Sequence, residues 1–374
     1  MNLLIFISSL SSGGAERVTA TLANHWAENG WQVTVVTLAA KTGDFYQLHP
    51  AVSRIALNLA GESRQPLAAI INNLRRVFAL RRVLRQVRPE VALGMMDSSN
   101  VQLALAASGM RGLVTIGSER IHPPQMPLGA LWEWLRRYAY HRLDAVVALT
   151  AESAAWLRRH TFAKQVVVIP NVASYPLLAQ PPIVAPPIKE GGDRLLLAVG
   201  RLCQQKGFAG LIAAFRDLAA GFPKWRLAIL GEGPLRNELA SQIASAGLDG
   251  RILLAGRVGN VGEWYATADL YVMTSRFEGF PNTLAEAMAH GVPAISFDCD
   301  TGPRDIIRNA VDGLLVPPGD QSALIEALRQ LMADNALRQR YAERAIEVRE
   351  RFTQERIIGL WESLFEDLRQ KVKM

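Results

Sequence analysis

Two glutamates stand eight residues apart in "RFEGFPNTLAEAMAHGVP", residues 276–293: Glu278 in a Gly-Phe-Pro-Asn turn, and Glu286 inside the helix predicted after it. Eight residues apart on one helix, two side chains diverge by about 80°. With a turn between them, the two carboxylates instead reach different parts of one bound molecule. The turn, from Gly279 and Phe280 through Pro281 to Asn282, also opens a helix, with Asn282 or Thr283 as the expected cap. The first amides of that helix, at Thr283 and Leu284, lack intrahelical partners and lie at the positive end of its dipole, a seat for phosphate. A second group lies in "VGRLCQQKGF", residues 199–208, where Arg201 and Lys206 flank a short loop between a strand and a helix. Two cations beside a helix N-terminus can neutralise a departing diphosphate without a metal ion. Taken singly, each motif has a plainer account, solvated glutamates and an ordinary turn. Taken together, they fit an extended ligand with a diphosphate in its middle and hydroxyls at both ends, which is the shape of a nucleotide-sugar.

Elements of alternating type must position these residues. "LLIFIS" (3–8) reads as a buried strand, residues 15–30 as a helix ending at glycine, and "QVTVVTLA" (32–39) as the next strand. Strand-like runs recur at 91–96, 112–118, 145–150 and 165–171, with helices at 100–109 and 151–160. After "PLLAQPPIVAPPIKEGGD" (176–193), a Pro- and Gly-dense linker, the alternation restarts with "RLLLAVG", "WRLAILG", "ILLAG", "DLYVMTS", "PAISFD" and "GLLVPP" as strands. From Ser322 onward the pattern is helical throughout. Continuous β-branched strands separated by helices predict parallel sheets covered on both faces. The expectation is an α/β protein of two doubly wound, Rossmann-like domains facing a cleft: 1–175, a linker at 176–193, 194–350, and a terminal helix at 351–374 that returns to the first domain. Ligands in such sheets bind beyond the carboxyl ends of the strands. Glu278 and Arg201 both follow strands directly.

Composition narrows the class. The chain has 374 residues, 49% hydrophobic and 20% charged, with Cys203 and Cys299 its only cysteines. That excludes a disulfide framework or a cysteine-rich zinc site and favours a reducing compartment. The opening apolar run lacks a basic leader and reads as a first strand rather than a signal peptide, and no run reaches the ~18 apolar residues of a membrane span. Residues 1–185 hold 18 Lys and Arg against 10 Asp and Glu, whereas 186–374 hold 23 against 24. The basic character therefore belongs to the first half and suggests a polyanionic partner there.

The source of that charge is "NNLRRVFALRRVLRQVRPE", residues 72–90. At helical spacing, Val77, Leu80, Val83, Leu84 and Val87 form an apolar face. Arg75, Arg81, Arg82, Arg85 and Arg88 fill the adjoining stripe, with Arg76 to the side and no acid before Glu90. A helix docked on the sheet with a solvated basic face explains this pattern, as does binding of anionic lipid or of a lipid-linked pyrophosphate. "ALWEWLRRYAYHR" (130–142) adds Trp132, Trp134, Arg136 and Arg137, an aromatic and basic mixture suited to a membrane interface. No nucleic-acid-binding motif accompanies the arginines, so nucleic acid is not an expected partner. In "ERIHPPQMP", Glu119 and Arg120 fall at the rim of the predicted site. Arg120 is a candidate ligand for acceptor phosphate, and His122 is either a contributor to the reaction or a loop histidine without a role.

"SSLSSGGAERV" (8–18) puts Gly13 and Gly14 where a backbone can approach a ligand, although it lacks the G-x-G-x-x-G dinucleotide fingerprint. Gly13-Gly14, Gly200-Arg201 with Lys206, and "EGFPNTLAE" followed by "AMAHGVPAI" together resemble the retaining GT-B glycosyltransferases of the family 4 type, with its E-x7-E signature. "GRVGNVGEWYATADLYVMTS" and "DGLLVPPGD" are similar to the same family, and "FDCDTGPRDII" resembles bacterial members that extend lipid-linked oligosaccharides or envelope polysaccharides. The resemblance implies that Glu278 contacts the donor sugar, that Glu286 binds the ribose, and that Arg201 and Lys206 hold the diphosphate with amides from Phe280 to Leu284. It implies that backbone at Gly256, Arg257 and Val258 receives the base, and that the leaving phosphate helps deprotonate the acceptor. The implied donor is a UDP-sugar, and the implied acceptor a polyprenyl-diphosphate- or lipid-linked saccharide at the cytoplasmic face of a membrane. Asp298-Cys299-Asp300 spells the metal triplet of another transferase fold, but Arg201 and Lys206 already supply the positive charge, so neither metal nor cofactor is expected. The rivals are a soluble synthase or epimerase of the same fold and a catalytically silent regulatory partner.

Overall fold

The computed structural model describes residues 1–11, 13–61, 65–187 and 189–373, without the side chains of Pro66, Leu67 and Lys373. Ser12 of the glycine turn and Ile188 of the expected linker fall outside the described residues. The chain forms two compact units, residues 1–171 with 355–374, and residues 172–354.

The first unit runs β1 (Asn2–Ile7), α1 (Gly14–Glu28), β2 (Gln32–Thr37), β3 (Ser53–Ala56), α2 (Pro66–Val87), β4 (Val91–Met95) and α3 (Asp97–Ala106). It continues with β5 (Val114–Ser118), α4 (Ala130–Ala139), β6 (Ala145–Ala148), α5 (Ala151–His160) and β7 (Val166–Val168). The sheet order is β3-β2-β1-β4-β5-β6-β7, with every pairing parallel. Strand β1 is buried from Leu3 to Ile7, as expected for an apolar run packed by helices on both faces.

The second unit runs β8 (Arg194–Val199), α6 (Phe208–Ala219), β9 (Trp225–Leu230), α7 (Arg236–Ser245), β10 (Ile252–Gly256), α8 (Val261–Thr267) and β11 (Leu270–Met273). Then come α9 (Asn282–Ala289), β12 (Ala294–Phe297), α10 (Pro303–Ile306) and β13 (Gly313–Val316). The tail is not one continuous helical stretch: α11 (Gln321–Ala333), α12 (Asn335–Ala345), α13 (Val348–Arg351) and α14 (Gln354–Lys373) follow one another. Asp334 makes the first break, because its side chain accepts from Leu337 N at 2.8 Å and caps a new helix. The sheet order, β10-β9-β8-β11-β12-β13, is again wholly parallel. Both units therefore have the doubly wound order, and its reversal between β1 and β4, and between β8 and β11, leaves a crevice at their carboxyl ends.

Two segments lie where composition alone does not place them. Helix α14 belongs to the first unit beyond its first residue. Its Phe365 ring lies 5.4 Å from that of Trp26, and Trp26 Nε1 donates to Glu362 Oε1 at 3.1 Å. The proline-rich stretch after residue 172 is bonded to the second unit along its length. Gln180 N donates to Gly259 O at 3.2 Å, Gly259 N to Pro182 O at 2.7 Å, and Trp264 Nε1 to Val184 O at 2.9 Å. A Cβ on Gly259 would stand 1.7 Å from Gln180 O, so glycine is what admits this close approach.

Candidate active site

The reversal point of the second sheet brings one of the predicted cations, Lys206, to one of the predicted acids, Glu278. Chain leaving β8 turns at Gly200 into a short 3-10 segment, Gln204–Lys206, and then into α6. Gly207 has φ of 68°, and a Cβ there would meet Thr274 O at 2.3 Å, so the loop after β8 lies directly against the end of β11. Thr274 Oγ1 donates to Lys206 O at 2.9 Å, Arg276 N to Gln205 O at 2.8 Å, and Gln205 Nε2 to Phe277 O at 2.9 Å. This lacing delivers Lys206 Nζ to Glu278 Oε1 at 2.6 Å, with the Glu278 side chain 10% exposed.

The other members take different positions. Arg201 is exposed and makes no side-chain hydrogen bond or ion pair with a described residue. Glu286 is 1% exposed on α9 and accepts from Tyr265 OH at 3.4 Å. The N-cap of α9 is Pro281, not Asn282 or Thr283, and no side chain caps it. Leu284 N is not open either, because it donates to Pro281 O at 3.1 Å. Proline's fixed φ starts the turn, and its carbonyl closes back on the first residues. The amide of Thr283 has no acceptor among the described residues, while its hydroxyl accepts from Tyr271 OH at 2.9 Å. Burial pushes the Tyr271 phenol well above its ordinary value, so it stays protonated as that donor.

Supports that the sequence reading did not single out surround this group. Gly231 ends β9 with φ of 139°, and a Cβ there would stand 2.0 Å from Gly200 O; Gly233 stands in the same relation to Leu202 O, at 2.3 Å. Gly231 N donates to Gly256 O at 2.7 Å, which joins the ends of three neighbouring strands. The Gly-x-Gly of "LGEGPL" immediately after a strand was the available signal. Thr301 Oγ1 donates to Glu278 O at 2.5 Å, and Gly302 lets Pro281 pack against the following loop. In the Asp298-Cys299-Asp300 triplet, Asp298 accepts from Arg304 Nε at 2.9 Å, and burial pushes the Cys299 thiol up to about 12. Gly256 has φ of 77°, and after it Arg257 is exposed and Val258 half-buried.

In the first unit, Glu119, Arg120 and His122 gather at the carboxyl end of β5, where Glu119 N donates to Val147 O of β6 at 2.8 Å. Glu119 accepts from Tyr140 OH, and Arg136 Nη1 lies 3.9 Å away. Burial, with Asp97 nearby, pushes the Glu119 carboxyl up to about 7. His122 Nδ1 is 3.0 Å from Ser153 Oγ in the first turn of α5. Gly13 caps α1, and the serine turn before it is tied down by Glu16, which accepts from Ser9 Oγ at 3.2 Å.

The arginine stripe divides. Arg81 Nη1 donates to Ala106 O at 2.6 Å and Ser108 O at 2.8 Å, closing the carboxyl end of α3, and Arg76 Nη2 donates to Gly61 O at 2.6 Å. These two cations are structural: Arg81 meets the carbonyl end of α3 and Arg76 the carbonyls of the loop before α2. Arg75, Arg82 and Arg85 are exposed, as is Arg88 in its left-handed C-cap position. Leu80, Val83 and Leu84 are buried as their spacing predicts. Trp132 packs partly buried against the α4–α5 core, and Trp134 is 56% exposed.

The strand orders, the crevice groups and the glycine-admitted close approaches define an architecture of two doubly wound α/β units. Its solved counterparts include HepE from Anabaena in complex with UDP, with a TM-score of 0.78 at 19% identity over 97% of this chain and 99% of that one. The glycosyl transferase 4-like domain matches residues 13–172, and glycosyl transferases group 1 matches residues 181–348. The chain belongs to the GT4-type glycosyltransferases of the GT-B fold. It is 28% identical to the amylovoran biosynthesis glycosyltransferase AmsD of Erwinia amylovora over 97% of this chain and 99% of that protein. It is 27% identical, over 92% of each chain, to the GalNAc-alpha-(1->4)-GalNAc-alpha-(1->3)-diNAcBac-PP-undecaprenol alpha-1,4-N-acetyl-D-galactosaminyltransferase of Campylobacter jejuni. A further relative, the exopolysaccharide phosphotransferase SCO2592 of Streptomyces coelicolor, is 35% identical over 77% of this chain, which spans 30% of that longer protein.

Proposed function

We propose that the chain moves a hexose or N-acetylhexosamine from a nucleotide diphosphate, UDP foremost, to a polyprenyl-diphosphate- or lipid-linked saccharide in envelope polysaccharide or glycan assembly, with retention at the anomeric carbon. The observation that carries this reading is the Lys206–Glu278 pair at 2.6 Å, at the reversal point, with Arg201 open on the same loop. A diphosphate is a stronger anion than one carboxylate. Its arrival gives Lys206 and Arg201 a new partner and releases Glu278 to accept hydrogen bonds from sugar hydroxyls. The Thr283 amide adds a donor, Glu286 takes the ribose, and backbone near Gly256 takes the base. The bond from anomeric carbon to phosphate oxygen breaks, a bond to the acceptor oxygen forms, and the acceptor proton passes to the leaving phosphate.

The names of the relatives support an envelope glycan and an undecaprenyl-diphosphate acceptor, and the HepE complex supports UDP. The membrane contact we propose is at the cytoplasmic face, through α2. Beside Arg75, Arg82 and Arg85 the helix exposes Ile70, Ile71, Leu74 and Phe78, the last 66% open. No helix among the described residues is long and apolar enough to cross a membrane. An amphipathic basic helix of this kind lies in an anionic interface.

The test is a transfer assay with UDP-, GDP- and ADP-sugars on polyprenyl-diphosphate-linked saccharides, with the product anomer read by NMR and a chelator arm. UDP-sugar turnover with retention that persists in chelator is the expected result. Inversion, chelator sensitivity, or no transfer by a folded protein that binds UDP would refute the corresponding part.

A further inference from the structure

Arg120 lies at the carboxyl end of β5 and is 7% exposed. Its Nη1 donates to Ser118 Oγ at 3.2 Å and its Nη2 to Asn171 Oδ1, both neutral acceptors. Its Nε is buried without a hydrogen-bond partner. No carboxylate of a described residue forms an ion pair with it, and the adjacent Glu119 turns instead to Tyr140 and Arg136. Burial pushes the guanidinium down to about 9.

A buried cation without a counter-charge is costly, and an apolar side chain of similar volume would be more stable there. A guanidinium offers five N–H donors, so the two bonds above leave three unmatched. A carboxylate accepts two such bonds in its fork, whereas a phosphate presents a third oxygen. The site also stands at the carboxyl end of a strand in the basic unit, in a different sheet from β8 and β11.

From this we infer that Arg120 is the receptor for a phosphate or diphosphate ester carried by the acceptor. The inference rests on the transfer reading above and adds to it the residue that receives the acceptor's anion. The phosphate belongs either to a lipid diphosphate or to a soluble sugar phosphate.

The experiment titrates inorganic pyrophosphate into the full-length protein saturated with UDP, so that the diphosphate seat of the second unit is already filled. Wild type should bind, and Arg120→Gln should bind at least tenfold more weakly while melting at or above the wild-type temperature, since the uncompensated charge is gone. Arg120→Lys, which keeps charge without the fork, should fall between them. Absence of pyrophosphate binding by the wild type would overturn the inference. So would equal affinity in Arg120→Gln, or a loss of several degrees in both variants at unchanged affinity, which would make Arg120 a strut between Ser118 and Asn171.

Turnover then separates the sources. Arg120→Gln should raise KM for phosphate-bearing acceptors at least tenfold more than for the same saccharide without phosphate. An effect seen with the polyprenyl diphosphate but not with the sugar phosphate assigns the anion to lipid, and the reverse assigns it to a soluble acceptor; an equal effect on the phosphate-free saccharide overturns the inference. If no acceptor is turned over, the transfer reading fails, while the pyrophosphate titration still decides the role of Arg120.

Discussion

The two units share one strand order over six strands, the first adding a seventh, and differ in how they keep charge at the carboxyl ends. In the second unit Lys206 pairs with Glu278, Arg201 stays exposed on the same loop, and backbone glycines hold the loops at contact distance, with Gly231 against Gly200 O. In the first, two ionisable groups are sealed in side by side: Glu119, held by Tyr140 and Arg136 while burial pushes its carboxyl up to about 7, and Arg120, which has only neutral partners. The same scaffold thus carries one group laced by backbone contacts around an ion pair and one that holds a buried cation without a counter-charge. Identical topology says nothing about which is which, because the chemistry sits in the loops.

Disrupting the paired side should have the largest effect. Lys206→Ala or Arg201→Ala should lower turnover at least a hundredfold, roughly 3 kcal/mol of leaving-group stabilisation. Steady-state transfer from the UDP-sugar measures it, and near-normal kinetics in either variant would remove that residue from the donor site. Gly231→Ala comes next. Its Cβ would stand 2.0 Å from Gly200 O, so the variant should lose about 2 kcal/mol or more in denaturant unfolding and weaken UDP binding. Unchanged stability would mean that the strand ends are looser than described.

The unbalanced side has a pH signature. Glu119 is raised in the folded state, so the native protein holds a proton that the unfolded chain releases above its ordinary carboxylate range. Its favourable contribution is complete below about pH 4.5 and is lost as pH rises to about 7. Glu119→Gln should remove that loss and gain on the order of 1–3 kcal/mol relative to wild type at pH 8 over pH 4.5. Parallel melting curves across that range would place Glu119 in contact with water. The smallest effect separates the arginines. Arg75, Arg82 and Arg85 changed together to Glu should abolish sedimentation with anionic liposomes at unchanged stability. Arg81→Ala should keep sedimentation and lose ~1 kcal/mol through the exposed carbonyl end of α3. Interchanged outcomes would defeat this division of the stripe.

Much of the fold was legible because parallel strands buried on both faces spell themselves as apolar runs, and β1, β8 and β11 fall where "LLIFIS", "RLLLAVG" and "DLYVMTS" predict. Strand β3 was not, since it is a four-residue edge strand with half-exposed side chains. Lys206 and Glu278 could be named from their places after two strands. Their direct pairing could not, because it depends on a contact between loops 72 residues apart. The cap of α9 was misread because proline, which ranks low as a cap, starts that turn by its backbone alone. Arg76 and Arg81 looked like the rest of their stripe, and only neighbouring carbonyls distinguish them.

Helix α14 carries one last consequence. Trp26 is fully enclosed, and part of its enclosure is supplied by Glu362 and Phe365. On the ribosome those residues emerge only after all of residues 172–354, so the half that begins first is the half that finishes second. Until then the face of its tryptophan that meets α14 is uncovered, and a nascent chain stalled before residue 355 should be the species that chaperones hold.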